Sequence, residues 1–551
     1  MPGGIHSGSH PLIGRRNFLK HVVLGSAGLA ISQDVWAKSW GGADSGAGSN
    51  TVIFAPANRA TGLSIDQPLR MIFPAPPSLG GKGVFRIHDA ADNSVVLSID
   101  IAQFQSYTVD QEVLRNASTQ VVQGLNYYYF PISILGHVAT VNLSTSQRLA
   151  HNKTYYVIMD EGLFVLPGNQ AVPAIADAGT WRFSTGNPTL SAPKANSGPQ
   201  VIRVAPEGVG DFATLQGALD WIPQNNVLPR TVLIAPGLYY EAAHLGQNRR
   251  FVTIKGDSPN RTDVTIYHPA PATVNNRSAG VLRIDCDDVT VSNLTLDAGI
   301  STAQPNPAGS KYPDIPMFPG RVNVLYTNGR RLVFHHVFIK GGQDTLYTND
   351  GVAYFKQCEI WGTTDFIYGR SLHVFDDCDI VELNQTGGAI MAPSTNADQP
   401  YGLVFLHCRL PRALKANGYP HDVAVDSTTL MRPWGKDGAT AFIACKMGDH
   451  IRAKGWSEWD GREATCRARE FGSVSFNARP QPNAVQRQMA GAYWLNTEAI
   501  DYHPSSNKDT SASAITAQSP RRHVNVDPND YTLDAIFGNP YFKLDGWWPS
   551  I

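Results

Sequence analysis

Two aspartates stand out as candidate chemistry in this 551-residue chain. Asp344 lies seven residues after Val337, and Asp365 lies seven after Cys358. Val337 and Cys358 hold the same place in a nine-residue unit that recurs along the second half. Equal offsets in consecutive repeats predict two stacked carboxylates, their backbones about 4.8 Å apart. Carboxylates that close drive their pKa values apart, so that one serves as an acid while the other stays ionised. The flanks, Gly341-Gly342-Gln343-Asp344-Thr345-Leu346-Tyr347 and Thr363-Thr364-Asp365-Phe366-Ile367-Tyr368-Gly369, add amide, hydroxyl and aromatic groups. The same spacing also suits a ladder of aspartates capping backbone amides at turns. Spacing alone leaves both readings open.

The unit occupies residues 289–297, 332–340, 353–361, 373–381, 403–411 and 440–448, and its sixth position holds Leu294, Val337, Cys358, Cys378, Cys408 and Cys445. Successive gaps of 43, 21, 20, 30 and 37 residues fit coils of about 20 residues with insertions, and a missed or irregular coil in the longest gap. One coil cannot bury its apolar face, whereas a stack can. Repeats this far apart exclude hairpins, so the expectation is an all-β fold: a parallel β-helix with the sixth position pointing inward. The cysteines then form a ladder of buried thiols. Cys358 and Cys378 lie within reach of a disulfide, and the sequence leaves that pairing open.

Residues 51–187 read differently. Short alternating runs at 84–87, 95–99, 138–143, 155–158 and 181–183, separated by turn residues, predict an antiparallel sandwich. Linkers are expected at 38–50 and 188–199. At the N-terminus, Arg15-Arg16-Asn17-Phe18-Leu19-Lys20 precedes a short apolar run and Val35-Trp36-Ala37. This is the pattern of a twin-arginine export signal over residues 1–37, cleaved near Ala37. It predicts a periplasmic or extracellular enzyme. With Lys+Arg 45 against Asp+Glu 46, no basic excess points to nucleic acid or to a membrane surface, and no apolar run is long enough to span a bilayer.

Four motifs then occur in order. Gly237-Leu-Tyr239-Tyr-Glu241 reads G-x-Y-x-E, and Gln343-Asp344-Thr345 reads Q-D-T. Asp365-Phe-Ile-Tyr-Gly369 is one aromatic swap from D-F-I-F-G, and Met431-Arg432-Pro433-Trp434 matches the tail of L-G-R-P-W with Met in place of Gly. Together they make residues 200–480 resemble the pectin methylesterases, carbohydrate esterases that fold as right-handed parallel β-helices. The stretch before them resembles the immunoglobulin-like modules of secreted bacterial proteins. Residues 481–551, ending in Tyr531–Gly538 and Trp547-Trp548-Pro549, resemble the tail that packs along the helix in this family, with a loop at 503–520.

The resemblance implies a role for each matching residue. Asp365 is the nucleophile toward a galacturonate methyl ester, and Arg432 pairs with it, holding it ionised and aimed. Gln343 donates to the oxyanion. Asp344 protonates departing methanol and then takes a proton from water. Trp434, with Tyr347 and Tyr368 as further candidates, lines the sugar groove. No metal or organic cofactor is implied; the partner is pectin or a methylated oligogalacturonide, and a monomer is the default. One departure stands out: the family's Q-A-V-A-L is here Arg321-Val-Asn-Val-Leu325. Arg321 could serve as a charged oxyanion donor, or pair with Asp344 or Asp365 instead. That opens two alternatives: a relative acting on another ester or thioester, or a non-catalytic β-helix that binds polysaccharide. His335 and His336, adjacent on an expected strand, are read as structural, and no G-x-S-x-G supports a serine nucleophile.

Overall fold

The computed structural model describes residues 51–475 and 527–551, apart from 110–111, 207, 209, 270–279, 300–320, 322, 421, 453–454 and 463–464. The export signal, the 38–50 linker and the 503–520 loop lie outside the described residues.

Alternation in the first domain produces two packed sheets. In one, Ile53–Ala55, Leu69–Ile72, Val138–Val141 and Ile132–Leu135 pair antiparallel in that order. The other runs Ala60–Leu63, Arg182–Thr185, Thr154–Met159, Val84–Asp89, Val95–Asp100. The pairing of Ala60–Leu63 with Arg182–Thr185 is parallel, a departure from the all-antiparallel expectation. Trp181 is fully buried between the layers, stacks on Phe54 at 4.6 Å and donates its indole N–H to the Pro56 carbonyl. An aromatic ring of that size buries the largest apolar area available to one residue, provided its polar atom is satisfied. A three-stranded ribbon, Gln105–Val109, Glu112–Val122 and Leu125–Tyr129, projects from the sandwich.

From residue 201 every strand pairs parallel with the next coil, building a β-helix with three faces. Each coil runs along a back face, a short face and a long face in turn. In one coil these are Glu359–Gly362, Ile367–Gly369 and Leu372–Asp376, followed by Asp379–Glu382 on the back face of the next. Like residues stack inward, one rung per coil. Phe334, Phe355, Phe375, Phe405 and Phe442 form an unbroken ring stack with centroids 4.4–4.8 Å apart. Each buried phenylalanine contributes about 2 kcal/mol of apolar transfer free energy. Beside it run Leu294, Val337, Cys358, Cys378, Cys408 and Cys445, all buried as the sixth-position rule predicts. All six cysteines of the chain are buried free thiols, so the Cys358–Cys378 disulfide that the sequence left open is not formed.

The corner before each rung has a common geometry. Asn293, His336, Gln357, Asp377, His407 and Ala444 all sit at φ between 53° and 55°, the left-handed region that turns the chain from the long face to the back face. His336 is therefore a corner residue and not a strand residue, and its ring lies 3.2 Å from the Asn293 side-chain oxygen.

Of the two readings of the 43-residue gap, the irregular coil holds and the missed coil does not, because Thr295–Asp297 pairs directly with Phe338–Lys340. The extra residues fall in sequence between Asp297 on the back face and Leu325 on the short face. The helix begins where the change of pattern near residue 200 places it, with Val201–Val204, Arg230–Ile234 and Val252–Gly256 as the first rungs of the long face. The 188–199 segment is anchored on the first coils: buried Arg230 donates to the Lys194, Ser197 and Pro199 carbonyls.

A short helix, Leu215–Trp221, covers the open first coil with Leu215, Ala218 and Leu219, its first turn capped by the Thr214 hydroxyl. At 527–551, Tyr531, Ile536, Phe537, Phe542 and Leu544 pack on the outer side of the long face against Tyr354, Val374 and Val404. Among the described residues no helix is long and apolar enough to cross a membrane.

Candidate active site

The two aspartates occupy the corner between the back and short faces. Leu346 pairs with Ile367, so Asp344 and Asp365, each two residues earlier, are in register on adjacent coils. Both adopt left-handed backbones, φ 62° and 50°, a conformation that a short polar side chain tolerates. Each is preceded three residues earlier by a glycine, Gly341 or Gly362. The corner folds back so tightly there that a Cβ at Gly362 would meet Phe366 Cβ at 2.1 Å, and one at Gly341 would meet Thr345 Oγ1 at 2.4 Å. The pattern G-x-x-D thus encodes a corner that turns an aspartate outward. Backbone bonds secure it: Asp344 N donates to Thr364 O at 3.2 Å, and Asp365 N to Ala389 O at 2.7 Å.

Both carboxylates are buried, and their surroundings differ. Arg432 follows the strand Thr429–Met431 and engages Asp365 with two parallel bonds: Nε donates to Oδ1 at 2.7 Å and the terminal nitrogen to Oδ2. That planar fork matches a carboxylate and fixes its orientation. The Arg432 guanidinium also lies over the Trp459 ring, 4.3 Å from its centroid. Asp344 has Arg321 at a longer range, Nε to Oδ2 3.8 Å. Arg321 in turn bridges backbone to backbone with Gln343, the residue before Asp344, which sets the two residues side by side on successive coils.

On the short face the outward residues form a ladder. Tyr326, Tyr347 and Tyr368 are in register. Tyr347 and Tyr368 stack at 4.5 Å with planes 5° apart, and Tyr326 meets Tyr347 edge-on at 5.1 Å. Trp434, on the loop after Arg432, stands 5.9 Å from Tyr368 and is more than a third exposed. Tyr368 is itself buried, its hydroxyl donating to Asn323 at 2.7 Å, whereas Tyr347 is half-exposed. Trp434 and the outer edge of Tyr347 are therefore the aromatic surface open to a ligand, and Tyr368 is chiefly the layer that supports them. Arg462 fixes the Trp434 loop by donating to its carbonyl at 2.7 Å.

The structure thus gathers all eight residues singled out from the sequence: Asp365, Asp344, Gln343 and Arg432 at the corner, with Arg321, Tyr347, Tyr368 and Trp434 around them. The pectinesterase family model matches residues 201–477, the stretch that holds this whole arrangement. The chain belongs to the pectinesterase family. It is 29% identical over 269 residues to pectinesterase 31 of Arabidopsis thaliana, a match covering 48% of this chain and 78% of that relative. To pectinesterase 4 of the same plant it is 30% identical over 275 residues, 49% of this chain and 44% of the relative. A solved structure, the pectin methylesterase PemA from Erwinia chrysanthemi, aligns with 22% identity and a TM-score of 0.43 over 64% of this chain and 98% of its own. Pectinesterases are carboxylic-ester hydrolases, and this chain is one of them.

Within this pectinesterase, several neighbours of the site escaped the sequence reading. Trp459 lies on a loop outside the repeat, so no periodicity flags it. Asn323 belongs to the segment where the chain departs from the family pattern. Glu382 ends the strand Asp379–Glu382, one coil beyond Gly362. It is fully buried, with Oε1 accepting from Asn384 N at 2.7 Å and Oε2 without a partner. Burial first, and the nearby Asp365 charge second, push its carboxyl well above the usual carboxylate range. Its position at a strand end among apolar neighbours offers no motif that could have revealed it.

Proposed function

We propose that this pectinesterase hydrolyses the methyl esters of galacturonate units in pectin through an aspartyl acyl-enzyme. The observation that carries the reading is the asymmetry of the aspartate pair: Asp365 is clamped by the Arg432 fork, and Asp344, one coil away, is not. An orientation fixed by two bonds suits a nucleophile, and a carboxyl beside it suits proton transfer.

The ester binds with its ring against Trp434 and Tyr347. Asp365 attacks the carbonyl carbon, and the developing oxyanion takes hydrogen bonds from the Gln343 amide and the Arg321 guanidinium. The tetrahedral adduct collapses, breaking the bond to methoxide, which leaves as methanol with the proton of Asp344. This leaves galacturonate joined to Asp365 as an anhydride. Asp344, now ionised, removes a proton from water as that water attacks the acyl carbon. Collapse of the second adduct releases the galacturonate carboxyl still carrying the second proton of the water, which it loses to solvent, and restores the ionised Asp365 and protonated Asp344. Export by the twin-arginine route, read from Arg15-Arg16, would bring the enzyme to its polymeric substrate outside the cytoplasm.

The test is methanol release from highly methylated pectin by the wild type and by Asp365→Ala. Release by the wild type that disappears in the variant supports the reading. A folded wild type releasing none overturns pectin as substrate.

A further inference from the structure

The ladder on the short face does not run freely to the first coil. Continuing from Tyr326, the outward register positions are Arg283 and then His244. The Arg283 guanidinium lies 4.0 Å from the centroid of Tyr326 and binds Asp285, which also takes a 2.8 Å contact from His244 Nε2. Both side chains point outward, yet both are buried. Their cover comes in part from the N-terminal domain. Tyr127, on Leu125–Tyr129 of the projecting ribbon, is buried with its ring 6.2 Å from that of His244, and the Val122 carbonyl lies 3.3 Å from His244 Nδ1. Val122, Tyr127 and Ala242 form an apolar cluster at this joint.

The ribbon tip is docked firmly. Gln123 accepts from Gly246 N at 2.7 Å and donates to Asp220 at 3.0 Å, and Arg148 pairs with that same Asp220. Elsewhere along the joint the Asp66 carboxylate accepts from the Ala213 and Thr214 amides, and Gln67 and Arg70 donate to the Pro206 carbonyl. The N-terminal domain and the β-helix therefore share a surface held by backbone-directed bonds on several segments. A spacer on a loose linker would make none of these.

We infer that the ribbon of the N-terminal domain is the end wall of the substrate groove and limits how many sugar units bind on that side of the catalytic aspartates. Three coil spacings, about 14 Å, separate Tyr368 at the catalytic coil from Arg283 beneath the wall. Sugars can lie over Tyr347 within that span. Beyond it, the side chains that could continue the platform are sealed under Tyr127 and Val122. The inference rests on the galacturonate-chain reading of the site.

The experiment compares kcat/KM across a graded series of fully methylated oligogalacturonates for the wild type and for Gln123→Ala/Tyr127→Ala, which frees the ribbon tip. A second variant with the ribbon shortened to a tight turn serves if the first stays docked, and thermal unfolding checks that each is folded. The wild type is expected to reach a plateau, and the variants to keep gaining beyond it. The ratio of long-chain to short-chain kcat/KM should rise about tenfold, the worth of one newly exposed charged subsite. A wild type with no plateau, or folded variants with the same length dependence, overturns the wall. Absence of methanol at every length overturns the substrate reading and the wall with it.

Discussion

Arg432 holds Asp365 in a two-bond fork while its other surface rests on Trp459, 4.3 Å from the ring centroid. The orientation of Asp365, the proposed nucleophile, thus depends in part on the support that Trp459 gives to Arg432. Arg432→Lys keeps the charge but offers no fork. Loss of one charge-assisted hydrogen bond is worth about 1.5–3 kcal/mol, so kcat should fall about 10- to 100-fold with KM little changed. Trp459→Ala should cost less, about 2- to 30-fold, since it removes only a stacking contact of about 0.5–2 kcal/mol. Steady-state kinetics on methylated pectin decide both. Trp459→Phe should recover most of the loss, because a ring of either kind supports the guanidinium.

Much of this arrangement was legible before any coordinates, and the reason is geometric. In a β-helix one coil is one repeat, so Asp344 and Asp365 could be placed in the same slot by counting from Val337 and Cys358. Arg432 could not be placed by counting. It reaches Asp365 across two coils of uneven length, and only its match to a family motif identified it. Where insertions or weak repeats intervene, counting is less definite. The 43-residue gap left open whether a coil was missed or irregular. The coils beginning at Val201 lack the inward cysteine or leucine register that marks the others. The tethering of residues 188–199 rests on buried Arg230, whose three carbonyl partners share no pattern, and on the Val227 amide, which donates to the Ala195 carbonyl. The docking of the N-terminal domain was invisible for the same reason, since the groups that bind Gln123 and Asp66 are mostly backbone amides.

Arg321 offers a sharper test of the oxyanion site. Its Nε is 3.8 Å from the Asp344 carboxylate, its side chain is about a third exposed, and its backbone bridges Gln343. A pair that long and that open contributes little to stability, so a loss on its removal would report on the proposed oxyanion role. Arg321→Ala removes a donor and should lower kcat about 100- to 1,000-fold. Arg321→Gln, which restores an amide donor at the same place, should stay within about tenfold of wild type. Equal large losses in both variants would assign the effect to the positive charge beside Asp344 rather than to the donor.

Glu382 makes the last prediction, on stability. In the folded protein its carboxyl is buried and its acidity weakened, with a pKa well above the ordinary 4.5. The unfolded chain releases this proton near 4.5, while the folded chain holds it to higher pH. Below about pH 4 both states are protonated and the residue has no pH-linked effect. As pH rises past 4.5 the unfolded state is favoured progressively, until the folded carboxyl also ionises. Glu382→Gln keeps the shape and removes the titration. Its unfolding temperature should match wild type near pH 4 and exceed it at pH 8 by about 2–4 °C, the shift for roughly 1 kcal/mol in a domain of this size. Calorimetric scans at the two pH values measure the difference. A constant gap would mean that Glu382 has the same acidity folded and unfolded, and one that widens toward low pH that it is ionised in the fold and held by a cation; either result overturns the prediction.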